Sequence, residues 1–387
     1  MSQRYDAIVI GLGVMGLSVC RDLARRGARV LGLDRFGIAH TRGSSHGATR
    51  VFRVCYYERP EYVPLLQAAE RGWRELEREV GETLLYDIGL LYAGRPSSDL
   101  IRGTQGAAAE HGLSLETLDA SGLSRRFPLL ATPPEYVGLF EPAGGVLMAD
   151  RIVGGLATAA LAAGAELRGL DPVAGWTAGD GMVTVRSVSG THQAGVAIVC
   201  AGGWTSRLLP TLAAPLTVTR QIAAWIAPAG ADRFRPPDFP VWGIDAGPQA
   251  GFDYGFPLMP GRPGLKVARH WPGPPVDPDR VDPAPDPAAL ATLLDAVRTR
   301  LPAAVADGGE PAVLSVDTCL YTNTPDGHFV IDRLPSEPRV LLAAGFSGHG
   351  FKFASIVGEA LADLALEGGT ALPIDFLGLD RFRPGPG

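Results

Sequence analysis

Residues 5–34 read YDAIVIGLGVMGLSVCRDLARRGARVLGLD. The first six are short, apolar and rich in β-formers, the pattern of a buried strand. Gly11, Gly13 and Gly16 follow at once. Residues 17–26 then read as a helix that Gly27 ends, and residues 28–33 as a second apolar strand closed by Asp34. In such a unit the first glycine permits the tight turn, the second lets a pyrophosphate approach the backbone, and the third allows close helix–strand packing. The helix N-terminus turns its partial positive charge on the phosphates. Asp34 stands where an acid takes ribose hydroxyls, which favours FAD or NAD over NADP. Arg35 beside it joins the cofactor-side candidates. The glycine spacing alone is a weak signal, but strand, helix, second strand and acid in order make a specific one.

Working outward, residues 61–80 form an amphipathic helical stretch, and 87–92 read as a strand. The segment 94–134 is polar and helix-rich, 144–150 breaks the chain, and 151–163 is helical. Residues 182–188 and 192–199 look like hairpin strands, and 196–204 (VAIVCAGGW) is a buried strand running into glycines. Residues 252–256 and 265–271 read as two strands joined by a Pro/Gly-rich turn. A proline-rich loop at 272–287 leads to a helix at 288–301. The last strand, 340–344, runs into Gly345-Phe-Ser-Gly-His-Gly350 and a helix to about residue 366. Nucleotide-type features lie at both ends and in the middle, with antiparallel-looking material between. The expected fold is α/β: a Rossmann-like dinucleotide domain, discontinuous over 1–80, 146–216 and 326–387. An α+β substrate domain on a mixed or antiparallel sheet takes 81–145 and 217–325.

A chain of 387 residues, 46% apolar, fits two domains. A net charge of -6 without a Lys/Arg block argues against nucleic acid. No run of about 18 apolar residues suggests a membrane span. Asp6 interrupts the N-terminus, so it does not read as a signal peptide. Cys20, Cys55, Cys200 and Cys319 are scattered, with no metal spacing, so free thiols in a reducing cytoplasm and no bound metal are expected. Cys20 and Cys200 lie in apolar segments and read as small buried hydrophobes.

Two further groups carry chemistry. Ser44 and Ser45 could donate to phosphates, and Arg50 and Arg53, three apart, could point to one side. In LKVARH, Lys266, Ala268 and His270 alternate and share one strand face, an unusual pair of polar groups for a core. An amino acid substrate brings a carboxylate, which a guanidinium plus an ammonium would clamp. His349 stands where G-x-S-x-G requires its final glycine, so a serine hydrolase is unfavoured.

The segments GSSHGATR (43–50), RVCYYERPEYVPL (53–65), DTCLYTNTPDGHFVID (317–332) and AAGFSGHGFKF (343–353) are similar to the monomeric sarcosine oxidase and N-methyltryptophan oxidase family. The matching motifs run from residue 6 to 353, more loosely between about 95 and 240. The resemblance implies FAD, bound covalently by a thioether from Cys319 to the flavin 8α-carbon. It implies that Arg53 and Lys352 bind the substrate carboxylate. It implies that Lys266 reaches the flavin N5 through water and promotes reaction with oxygen, while His270 lies over the flavin beside the substrate. Tyr254 and Tyr321 match active-site tyrosines, and Tyr56 a pocket tyrosine. Gly345, Gly348 and Gly350 precede the last helix, whose dipole would favour negative charge on a reduced flavin.

The implied activity is oxidation of a small secondary amino acid by a monomer, with O2 as acceptor, giving an imine and hydrogen peroxide. Ala48 replaces an expected Asp, and Val54-Cys55 replace a frequent His-Ala beside Arg53. Sarcosine, a bulkier N-methyl amino acid and a cyclic imino acid therefore all stay open. Two alternatives compete: a flavin dehydrogenase that passes electrons to a carrier, and a non-catalytic dinucleotide sensor. Oxygen consumption separates the first from an oxidase. A yellow protein bleached by substrate excludes the second.

Overall fold

In the computed structural model, residues 4–212, 214–247, 250–271 and 273–383 are described. Residue 272, where the proline-rich loop was expected to start, and the outermost residues of the expected dinucleotide domain lie outside them.

The opening strand–helix–strand forms as its pattern dictates: strand Arg4–Ile10, helix Val14–Arg25 and strand Val30–Leu33. Strand Arg4–Ile10 is central, flanked in parallel by Val30–Leu33 and by Gly190–Val199. Glu166–Arg168 extends the sheet beyond Val30–Leu33, and Glu337–Ala344 pairs in parallel with the end of Gly190–Val199. Antiparallel strands Val173–Gly179, Met182–Ser187 and Val330–Leu334 complete eight strands among the described residues. Helix Val14–Arg25 packs against helices Ala149–Ala162 and Ala354–Leu366, so one face of the parallel strands is covered. Parallel strands buried in this way need apolar side chains throughout, and Val30–Leu33 is buried at every position.

The second eight-stranded sheet runs in the order 312–323, 217–227, 265–270, 252–255, 241–245, 90–94, 137–141, 116–118. Its pairs are antiparallel except Val241–Asp245 with Leu90–Gly94, which is parallel. The fold is thus α/β, with a mixed second sheet. A small antiparallel sheet of Thr49–Phe52, Gly145–Met148 and Leu85–Asp87 lies between in sequence.

Two sequence expectations need correction. The single strand expected at 87–92 is two strands, Leu85–Asp87 and Leu90–Gly94, in different sheets. Gly89 makes the break at φ +79°, where a Cβ would come within 2.4 Å of the Phe140 ring. The break expected at 144–150 holds the strand Gly145–Met148 and the start of the next helix.

Candidate active site

The first glycine turn works by closeness. Gly11 takes φ +99°, and a Cβ there would sit 2.4 Å from the Cys200 carbonyl oxygen. A Cβ on Gly16 would sit 1.8 Å from the Gly11 carbonyl oxygen, so the helix can start this near the strand only with glycine. Gly13 precedes the helix, and Ser45 Oγ accepts a hydrogen bond from the Val14 N–H at 3.0 Å. Asp34 is buried, and its carboxylate accepts from the Leu12 and Phe36 N–H groups, both at 2.7 Å.

These residues open onto a cavity of about 950 Å³. Its lining runs from Gly11, Gly13, Asp34 and Arg35, past Ser44, Ser45 and Arg50, to Lys266, Cys319, Tyr254 and Tyr321. Gly345, Gly348 and Gly350 line it too. A Cβ on Gly348 would strike the Tyr321 ring at 2.2 Å. Ser44 spends its proton on the Leu320 carbonyl at 2.5 Å, so in this arrangement it is no phosphate donor. Arg50 donates to the carbonyls of Ser44, His46 and Thr49 at 2.6–2.8 Å, which knits the 44–49 loop against the cavity.

Lys266 is buried, and its Nζ donates to the carbonyls of Gly47 and Thr49 at 2.8 and 3.0 Å. Burial, then the charge of Arg50, lowers it to about 7. Cys319 is the one half-buried cysteine of the four, and the others are buried. Burial raises its thiol, while Arg50 and Lys266 pull it down. Asp317, which the sequence reading passed over, takes Arg262 in a two-point ion pair at 2.6 and 2.8 Å and the Trp225 indole N–H at 2.9 Å. Asp150 accepts from the Gly47 and Ala48 N–H groups, holding Ala48 at φ +58°.

Arg53 departs from expectation. It does not share Arg50's side: Arg50 lines the large cavity, whereas Arg53 is ion-paired with Glu58 and packs on the Tyr56 ring at 4.0 Å. Arg50 lies within strand Thr49–Phe52, whereas Arg53 follows its end, where the chain has left the sheet. Lys352 is buried nearby, its Nζ donating to the His349 carbonyl at 2.6 Å and lying 5.2 Å from the same Tyr56 ring. Burial, then Arg53, drives its amine well below the ordinary lysine range. His349 bonds Gly327 O through Nε2 at 2.9 Å. That carbonyl only accepts, so Nε2 carries the proton and Nδ1 accepts from the Tyr56 hydroxyl.

A second cavity of about 870 Å³ borders this cluster and is lined by Tyr57, Glu58, His270 and His349 among others. His270 Nδ1 lies 3.4 Å from the Tyr321 hydroxyl, and Tyr321 also lines the first cavity. Tyr321 therefore stands between the two spaces. Burial lowers His270 to about 4, which keeps its imidazole neutral at pH 7.

The large cavity also presents unsatisfied polar atoms. His46 Nε2, Gln221 Nε2 and Thr322 Oγ1 are buried, line it, and have no hydrogen-bond partner among the described residues. Buried polar atoms without partners cost about 1–3 kcal/mol each, a cost that a polar occupant drawing them into contact would relieve. With the glycine turn and Asp34 at one end, the residues fit a flavin dinucleotide. A profile of the FAD dependent oxidoreductase family matches residues 6–364.

The chain belongs to the FAD dependent oxidoreductase family.

Within this family the chain is 39% identical to monomeric sarcosine oxidase of Streptomyces avermitilis, over 100% of both chains. It is 32% identical to N-methyl-L-tryptophan oxidase of Yersinia pestis, over 98% of this chain and 100% of that one. Among solved structures it resembles NikD, described as an unusual amino acid oxidase essential for nikkomycin biosynthesis. The TM-score is 0.84 at 28% identity, covering 97% of this chain and 98% of the other. No helix among the described residues is long and apolar enough to cross a membrane, and they contain no cluster of His, Cys, Asp and Glu that could hold a metal ion.

The sequence reading missed Glu58, Asp317, Asp150 and His349 as site-forming groups. Glu58 had a local signal, an acid five residues after Arg53. Asp317 had none, because its partners Arg262 and Trp225 are distant in the chain.

Proposed function

We propose that this protein is a monomeric FAD-dependent oxidase of a small secondary amino acid, with oxygen as acceptor and an imine and hydrogen peroxide as products. The observation that carries the reading is the position of Tyr321. Its ring lines the cofactor-sized cavity with Cys319 and Lys266, and its hydroxyl meets His270 at the edge of the second cavity. One space suits the cofactor and the other the substrate. Accordingly, the first sheet and its helices form the FAD domain (1–80, 146–216, 326–387), and the second sheet the substrate domain (81–145, 217–325).

Bound FAD would accept a hydride equivalent from the C–H bond next to the substrate nitrogen, which with loss of the N–H proton leaves C=N, and would deliver the electrons to oxygen. The chain's own residues do the rest. Arg53 and Lys352, buried behind the second cavity next to Glu58 and His349, would hold the carboxylate, Arg53 through the Nη1 that has no partner. Neutral His270 faces the amine without adding a like charge. Lys266, fixed by two carbonyls, sets a cation at the cavity wall where oxygen would be reduced. Cys319 would hold the flavin through a thioether. Four unpaired thiols support a cytoplasmic setting.

The test is a panel of sarcosine, bulkier N-methyl amino acids and cyclic imino acids, scored for oxygen uptake and peroxide. Flavin reduction by one of them without oxygen uptake would instead mean a dehydrogenase.

A further inference from the structure

The segment 273–287 leaves the second sheet after strand Leu265–His270 and returns at helix Pro287–Arg300. It first lies along strand Thr217–Ala227, with Arg220 N–H donating to Pro274 O and Val276 N–H to Val218 O. It then crosses to the first sheet. Asp279 Oδ1 accepts from Arg35 at 2.7 Å and from the Trp204 indole N–H at 2.8 Å, while Arg207 reaches Asp277 and Asp279 at 2.7 and 2.9 Å. A Cβ on Gly203 would touch Pro278 at 3.5 Å, so the tip seats closely. On the way back, Pro283 O accepts from Thr318 Oγ1, and Arg220 donates to the carbonyls of Asp282 and Ala284.

The tie points Arg35, Trp204 and Arg207 line the large cavity with Asp34, and Pro283 lines it beside Thr318. A strap anchored in one sheet thus covers the nucleotide end of a site built mainly on the other. Its prolines at 274, 275, 278, 283, 285 and 287 limit the conformations it loses on docking. Its latch is different in kind. Arg35, Arg207, Asp277 and Asp279 keep roughly a third to a half of their side-chain surface in water. Ion pairs of that exposure are individually weak and salt-screened.

We propose that residues 277–283 are a salt-sensitive clasp, latched by Asp279, that opens to admit the dinucleotide and closes to retain it. The proposal assumes the FAD site and adds a moving part to it. It is tested by flavin fluorescence with apoprotein carrying Cys319→Ala, so that retention is not covalent. FAD uptake and release are timed at low and high NaCl, with and without Asp279→Asn. Arg280→Ala, on the exposed side of the strap, is the control. The clasp predicts that Asp279→Asn speeds both uptake and release, by about fivefold at low salt. It also predicts that parent release quickens with salt while the variant's does not, and that the control follows the parent. Unchanged rates would overturn it. So would faster release with unchanged uptake, which makes Asp279 an affinity contact and no gate. An apoprotein that took up no FAD at all would overturn the site and the clasp together.

Discussion

The Arg53 guanidinium lies against the Glu58 carboxylate, and each keeps one polar atom, Nη1 and Oε2, buried without a partner. Burial alone would raise Glu58, but the charge of Arg53 outweighs it and holds the carboxyl at about 2. The pair is therefore ionised at any working pH, and one guanidinium nitrogen and one carboxylate oxygen remain unused.

A substrate carboxylate would complete Arg53. Arg53→Ala removes a charge-assisted contact worth about 1.5–3 kcal/mol, so kcat/KM should fall roughly tenfold to a hundredfold. The preference for amino acids over plain amines should go with it. Steady-state kinetics with an N-methyl amino acid and its decarboxylated analogue check both, and unchanged values would remove Arg53 from the substrate site.

The same pair sets an acid limit on stability. Glu58 has a folded pKa below its unfolded value, so its contribution is complete above the unfolded pKa and is lost as pH falls through the folded one. Glu58→Gln should therefore flatten the loss of stability between about pH 4.5 and 2. Urea titrations across that window on both proteins read it directly.

Cys319 should carry the flavin. It lines the cofactor cavity and is half-buried; Cys200 also borders that cavity but is buried in the apolar core, as is Cys20, and Cys55 is buried beside Glu141. Acid-precipitated protein should stay yellow in the pellet, and Cys319→Ala should hold FAD weakly and reversibly. Colour wholly in the supernatant of the parent protein would show that no such bond forms.

Lys266 should serve the oxygen half-reaction. Its ammonium is lost as pH rises through about 7, and a negative charge on bound flavin would move that loss upward. Flavin reoxidation should thus decline with rising pH, with its midpoint at or above 7. Lys266→Met should slow reoxidation by about a hundredfold, the scale of one preorganised electrostatic group, and spare anaerobic reduction. Stopped-flow spectroscopy separates the two steps. Collapse of reduction with reoxidation intact would move Lys266 to the substrate.

Tyr56→Phe should act through His349. It strips Nδ1 of its donor in a buried site and so should cost about 1–3 kcal/mol of stability in urea unfolding. It also loosens the carbonyl that holds Lys352, so KM for the amino acid should rise.

The opening strand–turn–helix–strand and its acid were legible because each signal is local: apolar runs, three glycines and Asp34 act within thirty residues. Lys266 and His270 were legible as a pair because strand alternation needs no partner to set it. Tertiary structure decided what distance in the chain conceals. Gly89 divides one apolar run between two sheets because the Phe140 ring fills the space beside it. Asp317 meets Arg262 and Trp225 only once strands Thr217–Ala227 and Ala312–Asn323 pair. The proline-rich stretch after Trp271 becomes a strap only because Arg35 and the pair Trp204 and Arg207 converge on it from two separate segments. Even Arg53, whose partner is five residues away, was misplaced. The chain leaves the strand after Phe52, which parts Arg53 from Arg50, and its buried charge pairs with Glu58.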